Sequence, residues 1–182
     1  AAELCGERPD PQWSAVAAGL RIPHFADGTT REHAGYDGEM IKQADANLLG
    51  YPLGIVTGRE AQLRDLEYYE RRIDPRNGPA MSYSVFAIQY ARLGMAEKAC
   101  EMFRRSYLPN LRPPFGVFAE TATSGNPYFM TGAGGMLQAV LFGFGGLEIT
   151  ADGLVQRPSV LPPQWKNLRI KINGKIYQAT NQ

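Results

Sequence analysis

Charge of one sign is what this chain most lacks. Nineteen Lys and Arg face eighteen Asp and Glu in 182 residues, which leaves no net field to hold a nucleic-acid backbone or an anionic membrane surface. Neither nucleic acid nor membrane is expected as a partner. Cysteine is also scarce: Cys5 and Cys100 are too few for a disulfide framework, and neither stands in a CxxC or Cys/His spacing that suits a metal. Both are expected as buried thiols. Histidine occurs twice. His24 and His33 share one polar segment with Asp27, Glu32, Asp37 and Glu39, but no pair has the i, i+4 helical spacing of a zinc binder, and a solvated loop has the same composition. No metal site is expected.

Long apolar runs are missing as well. The stretch 129–147 comes nearest, yet it is rich in glycine and contains Gln138, so it falls short of the roughly 20 apolar residues of a membrane span and reads as a buried helix. "AAELCGERPDPQW" has no basic patch followed by an apolar stretch and is not a signal peptide. The glycine clusters "GAGGML" and "GFGGLE" lack the third glycine of GxGxxG, and no Walker sequence occurs. Close helix packing accounts for them better than a nucleotide does. There is no GxSxG elbow to present a serine nucleophile.

What is present is a foldable, mostly helical pattern. Hydrophobic residues make up 44%, enough for a packed core and more than a disordered segment would carry. Asp10 and Pro11 open a short helix that Gly19 closes. The segment 21–38 is rich in Gly, Pro, Asp and Thr and reads as a long loop of the functional or mobile kind. Met40, Ala44, Leu48 and Leu49 predict a helix ending at Pro52, with Lys42 and Gln43 near its start. Further helices are expected over 59–72, over 79–94 (apolar nearly all round, hence interior), over 96–107, and near 134–142. Past Gly146 the period alternates: an Asp152-Gly153 turn and the strong Asn173-Gly174 signal predict hairpins. Serial helices followed by strands argue for a helical layer with a β appendage. "AAEL" already reads as helix, as if the chain began inside a larger unit.

One carboxylate stands apart. In "FAETATSGNPYFMTGAGG", residues 118–135, Glu120 sits among small, turn-forming and aromatic residues with no basic neighbour in sequence. Glycosidic cleavage uses two carboxyl groups, one to protonate the leaving oxygen and one to activate water or attack carbon. Glu120, among Phe115, Phe118, Tyr128 and Phe129, is a candidate for one of them. From composition alone a solvated loop glutamate is the commoner explanation.

Several ordered blocks decide between these readings. "GYDGEMIKQADANLLGYPL" (35–53), "GPAMSYSVFAIQYARLG" (78–94), "PFGVFAETATSGNPYFMTGAGGMLQAVLFGFGGLEI" (114–149) and the final β segment together resemble glycoside hydrolase family 65, in its acid-trehalase-like and kojibiose-hydrolase-like branch. The blocks span nearly the whole chain. The resemblance implies a mainly α fold: residues 1–146 as the later helices of an α/α toroid, a barrel of six helical hairpins, and residues 147–182 as the start of a C-terminal β domain.

The same resemblance implies that Lys42 and Gln43 bind hydroxyls of a glucosyl ring, for which an ammonium and an amide supply suitable donors and an acceptor. It implies Glu120 as general base and a general acid upstream of this sequence, since no motif for that acid is found here. The expected function is an inverting hydrolase of an α-linked glucosyl disaccharide or conjugate of the trehalose, kojibiose or glucosyl-galactose type. Its partners would be the sugar and the upstream part of the same enzyme, and it would need no cofactor. The alternatives are an inverting disaccharide phosphorylase, kept open by Thr121, Thr123 and Ser124, and a non-catalytic carbohydrate-binding module. Glu120 would repel a phosphate dianion.

Overall fold

The structure, a computed structural model, describes residues 2–181. After a 3-10 turn at Glu3–Cys5, helix α1 (Pro11–Gly19) starts as the sequence predicts, with the Asp10 carboxylate accepting from the Gln12 N–H at 2.9 Å and proline in the first turn. None of its residues is buried, and Trp13 and Val16 are exposed.

The long irregular segment that follows is packed. Its anchor is Thr30, whose N–H and hydroxyl both donate to Asp65 on helix α2 (Arg59–Glu70), at 2.9 and 2.6 Å. The Tyr69 hydroxyl in turn donates to the Thr30 carbonyl at 2.6 Å. Phe25 and Tyr36 close against Tyr68 and Tyr69 as an aromatic cluster. These bonds satisfy backbone and side-chain polar groups that burial would otherwise leave costly. They also place Glu32.

The helix expected from Met40 to Pro52 does not form. The Ile41 N–H donates to the Arg72 carbonyl at 2.8 Å and the Asp74 N–H to the Ile41 carbonyl at 3.1 Å, which makes Ile41 a parallel bridge to Ile73. The Ala46 N–H, which a helix would direct to the Lys42 carbonyl, donates instead to the Glu32 carboxylate at 3.1 Å. With those helical partners diverted, residues 42–45 bend, and only a 3-10 turn, Ala46–Leu49, remains. Tertiary bonds have overridden the periodicity.

Helices α3 (Ala80–Arg92) and α4 (Ala96–Arg105) follow prediction closely. α3 is central, with Phe86, Ala87, Ile88, Tyr90 and Ala91 all essentially buried. α4 is amphipathic, turning Ala99, Cys100, Met102 and Phe103 inward and Glu97, Glu101, Arg104 and Arg105 outward. The expectation for the thiols holds at Cys100 and fails at Cys5, which is exposed because the 3-10 turn that carries it buries nothing. Helix α5 (Met130–Gln138) starts earlier than predicted and runs on into a π-helical stretch, Ala139–Phe144. Here the glycines act as expected: a Cβ on Gly135 would press on Ser84, and one on Gly143 on the Ile88 backbone. Among the described residues no helix is long and apolar enough to cross a membrane.

Three two-stranded antiparallel ladders complete the chain. β1 (Leu111–Arg112) pairs with β2 (Val117–Phe118), Leu111 opposite Phe118. β3 (Leu147–Thr150) pairs with β4 (Gly153–Gln156), and Thr150 opposes Gly153, so the turn falls on Ala151-Asp152, one residue before the predicted Asp-Gly. β5 (Asn167–Ile172) and β6 (Lys175–Thr180) join through Asn173 and Gly174 at φ 48° and 81°, the two positive angles that a type I′ turn requires. Leu147, Ile170 and Tyr177 form a small second core. Leu161 and Trp165 return to the helical core, Trp165 packing on Phe103 and Phe144. The chain is thus mainly helical with small antiparallel sheets.

Candidate active site

Glu120 lies just past β2 in a turn whose backbone is held from several directions. The buried Asn110 amide donates to the Ala119 and Glu120 carbonyls, both at 3.0 Å. The Ala80 N–H at the start of α3 also donates to the Glu120 carbonyl, at 3.2 Å. The Arg112 guanidinium reaches the carbonyls of Thr121, Ala122 and Ser124 at 2.9, 2.9 and 3.2 Å. A planar cation with several fixed donors suits this task. Neither Asn110 nor Arg112 was a sequence candidate, because a side chain that serves backbone carbonyls leaves no motif.

The Glu120 side chain has two partners. Oε1 accepts from Lys42 Nζ at 3.2 Å, across 78 positions of sequence, and Oε2 accepts from the Asn126 amide at 3.4 Å. The Lys42 ammonium first, and the Asn126 bond second, hold the Glu120 carboxyl below its ordinary range, so it is an anion at neutral pH. It has no basic neighbour in sequence and one in space.

Lys42 and Gln43 occupy the bend between Ile41 and Ala46. Both line a cavity of about 520 Å³ together with Glu32, His33, Tyr36 and Glu39. Lys42 belongs to both places, since it lines this cavity and bonds Glu120. Its side chain is 60% exposed and that of Glu120 is 25% exposed, so the ion pair is open to solvent and to any ligand that competes for the ammonium. Tyr36 is buried and donates its hydroxyl to the Glu39 carbonyl at 2.6 Å. Tyr128 is exposed and holds a positive φ of 58°.

Two of the hydroxyls near Glu120 accept bonds within the turn, and a third donates out of it. Thr121 Oγ1 accepts from the Ser124 N–H at 3.0 Å, Ser124 Oγ accepts from the Asn126 N–H at 3.0 Å, and Thr123 donates to the Arg76 carbonyl at 3.3 Å. Their role is to shape the loop. Among the described residues no group of three or more His, Cys, Asp or Glu could hold a metal ion, and His24 instead forms an isolated bridge with Thr30.

No protein-family model matches the chain. It is 49% identical over 170 residues to a kojibiose hydrolase of Mucilaginibacter mallensis, an alignment covering 93% of this chain and 25% of that protein. It is 39% identical over 173 residues to a protein-glucosylgalactosylhydroxylysine glucosidase of Danio rerio, covering 92% and 26%. To a periplasmic/secreted acid trehalase of Candida glabrata it is 36% identical over 161 residues, covering 81% and 13%. A solved structure named as a kojibiose phosphorylase from human microbiome shares its fold with a TM-score of 0.52 at 22% identity, covering 76% of this chain and 20% of that one.

The chain therefore spans about a quarter of the length of the first two relatives. The relatives are named as hydrolases of glycosides, which defines the class to which this chain is akin. They support a family of the glycoside hydrolase 65 type.

Proposed function

We propose that this chain is part of an inverting glycoside hydrolase that cleaves an α-linked glucosyl disaccharide or conjugate, of the kojibiose, trehalose or glucosyl-galactose type. Residues 1–146 would form the later helices of an α/α toroid and residues 147–182 the start of a β domain. The observation that carries the reading is the meeting of Lys42 with Glu120 at 3.2 Å at the edge of a cavity that Lys42 and Gln43 line.

In this reading Lys42 and Gln43 hold hydroxyls of the glucosyl ring. Glu120, already ionised, accepts a proton from a water molecule as the water oxygen bonds to the anomeric carbon. The bond from that carbon to the leaving oxygen breaks on the opposite face, and the leaving oxygen takes a proton from a carboxylic acid supplied by the upstream sequence. The configuration inverts because water enters opposite to departure, and the two carboxyl groups must then stand about 6.5–9.5 Å apart. An anion beside the attacking nucleophile suits water and opposes a phosphate dianion. Of the nearby hydroxyls, that of Thr123 already donates to the Arg76 carbonyl.

Glu120→Gln in the whole protein that carries this chain tests the role. General-base loss lowers turnover by about 10²- to 10⁴-fold, with little change in affinity for glucose. Near-normal glucose release would reject Glu120 as base. A requirement for inorganic phosphate, with a sugar phosphate as product, would turn the reading to phosphorolysis.

A further inference from the structure

Lys42 and Gln43 sit on a bend only four residues long, and its two ends are held by different means. At the near end, Ile41 is fixed by two backbone bonds, to Arg72 and Asp74. At the far end, the Ala46 N–H meets one oxygen of a side chain, Glu32 Oε2, at 3.1 Å. Beyond it, the Gln89 amide donates to the Asn47 carbonyl at 2.9 Å, which holds the 3-10 turn and leaves Ala46 to Glu32. The other Glu32 oxygen, Oε1, is buried without a partner. Glu32 also lines the cavity that Lys42 and Gln43 line.

We infer that Glu32 is a positioning residue for the glucosyl site, closing the far end of the bend so that Lys42 and Gln43 are presented together to the sugar. The inference rests on the reading of those two residues as sugar ligands. Glu32 is itself placed by the Thr30–Asp65 and Tyr69–Thr30 bonds two positions earlier, so the path runs from α2 through Thr30 to Glu32 and then to the bend. Burial, reinforced by the Asp45 charge, pushes the Glu32 carboxyl up to about 7. Charged or neutral, the carboxyl keeps an oxygen that accepts the Ala46 N–H. A bend freed at one end would spend only a fraction of its time in the competent geometry, and apparent affinity falls by that fraction.

The test uses the whole protein that carries this chain and measures glucose affinity by calorimetry together with hydrogen exchange at the Ala46 amide. Glu32→Ala is expected to expose the Ala46 amide to exchange and weaken glucose binding about tenfold. Glu32→Gln, which keeps an acceptor oxygen in place, is expected to restore both to within about threefold. Should the alanine variant fail to fold, Glu32→Asp, one methylene too short to reach Ala46, gives the same pair of readouts. On substrate, the loss should fall on KM with kcat retained.

Unaltered glucose affinity in Glu32→Ala, or a Glu32→Gln variant as defective as the alanine, would overturn the inference. A wild-type protein that binds no glucose would overturn both it and the reading beneath it. If glucose binding depends on Glu32 and Lys42 while Glu120→Gln leaves turnover intact, the assignment of Glu120 as base fails and the positioning role stands.

Discussion

The turn carrying Glu120 and the bend carrying Lys42 reach the same point by opposite means. The turn is gripped along its backbone: Asn110, Arg112 and the Ala80 N–H supply six bonds to the carbonyls of residues 119–122 and 124. The bend is held at Ile41 and Ala46, with Lys42 reaching into solvent between them. The difference matches the work proposed for each. A base must stand at one distance from the attacked carbon, where a displacement of about 1 Å can cost 10²-fold in rate, whereas a flexible ammonium can adjust to the hydroxyl it meets.

Removing the grip should erase the contrast, and the largest effect is expected there. Asn110→Ala takes the side-chain donor from the Ala119 carbonyl and leaves the Glu120 carbonyl to the Ala80 N–H, at a cost of about 2 kcal/mol in stability. It should lower kcat on the order of 100-fold while glucose affinity holds. Chemical denaturation and steady-state kinetics would measure both. A stability loss without a loss of kcat would mean that Asn110 supports the fold but not the position of Glu120.

The second intervention acts on the bend. Lys42→Ala removes the charge that most lowers the Glu120 carboxyl, so the carboxyl titrates at higher pH and the acid limb of the kcat/KM profile moves upward. Glucose affinity falls in the same variant, because a sugar ligand is gone. Stability should be unaffected, since a solvent-exposed ion pair contributes little. A limb that stays where it was would show that the pair is not formed in solution.

The two regions also differ in how far they could be read from sequence. The helices 80–92 and 96–105 and the hairpin at Asn173-Gly174 were legible because local signals, periodicity and turn chemistry, agree there with the tertiary bonds. The bend was misread as a helix because Met40, Ala44, Leu48 and Leu49 have helical spacing, while the bonds that decide it come from Glu32, Arg72 and Asp74. Proximity of Lys42 to Glu120 is invisible in a chain that separates them by 78 positions. Only the resemblance of the blocks around them, taken together, brought both into one site. Asn110, Arg112 and Glu32 act on backbone, and a residue type that serves a carbonyl or an N–H has no spacing rule to betray it.

The smallest expected effect separates the two carboxyl groups. Glu120 is held low by Lys42 and Asn126, whereas burial raises Glu32 from its ordinary 4.5 to about 7. The charges that couple to Glu32 are the phenols of Tyr36 and Tyr69 and the carboxylate of Asp45, all acidic, while His33, Glu39 and Lys42 share its cavity. Between pH 4.5 and about 7 the folded state therefore holds a proton that the unfolded chain has released, so the Glu32 contribution makes the fold less stable as pH rises through that window and is level above it. Glu32→Gln has no proton to lose. Relative to the variant, the wild type should lose on the order of 2 kcal/mol across the window, seen as the change with pH in the difference between their urea unfolding free energies. A difference that stays flat would mean that Glu32 is solvated and charged in the folded protein. A difference that rises with pH would mean that a cation of the same cavity, Lys42 or His33, outweighs burial and Asp45 at Glu32.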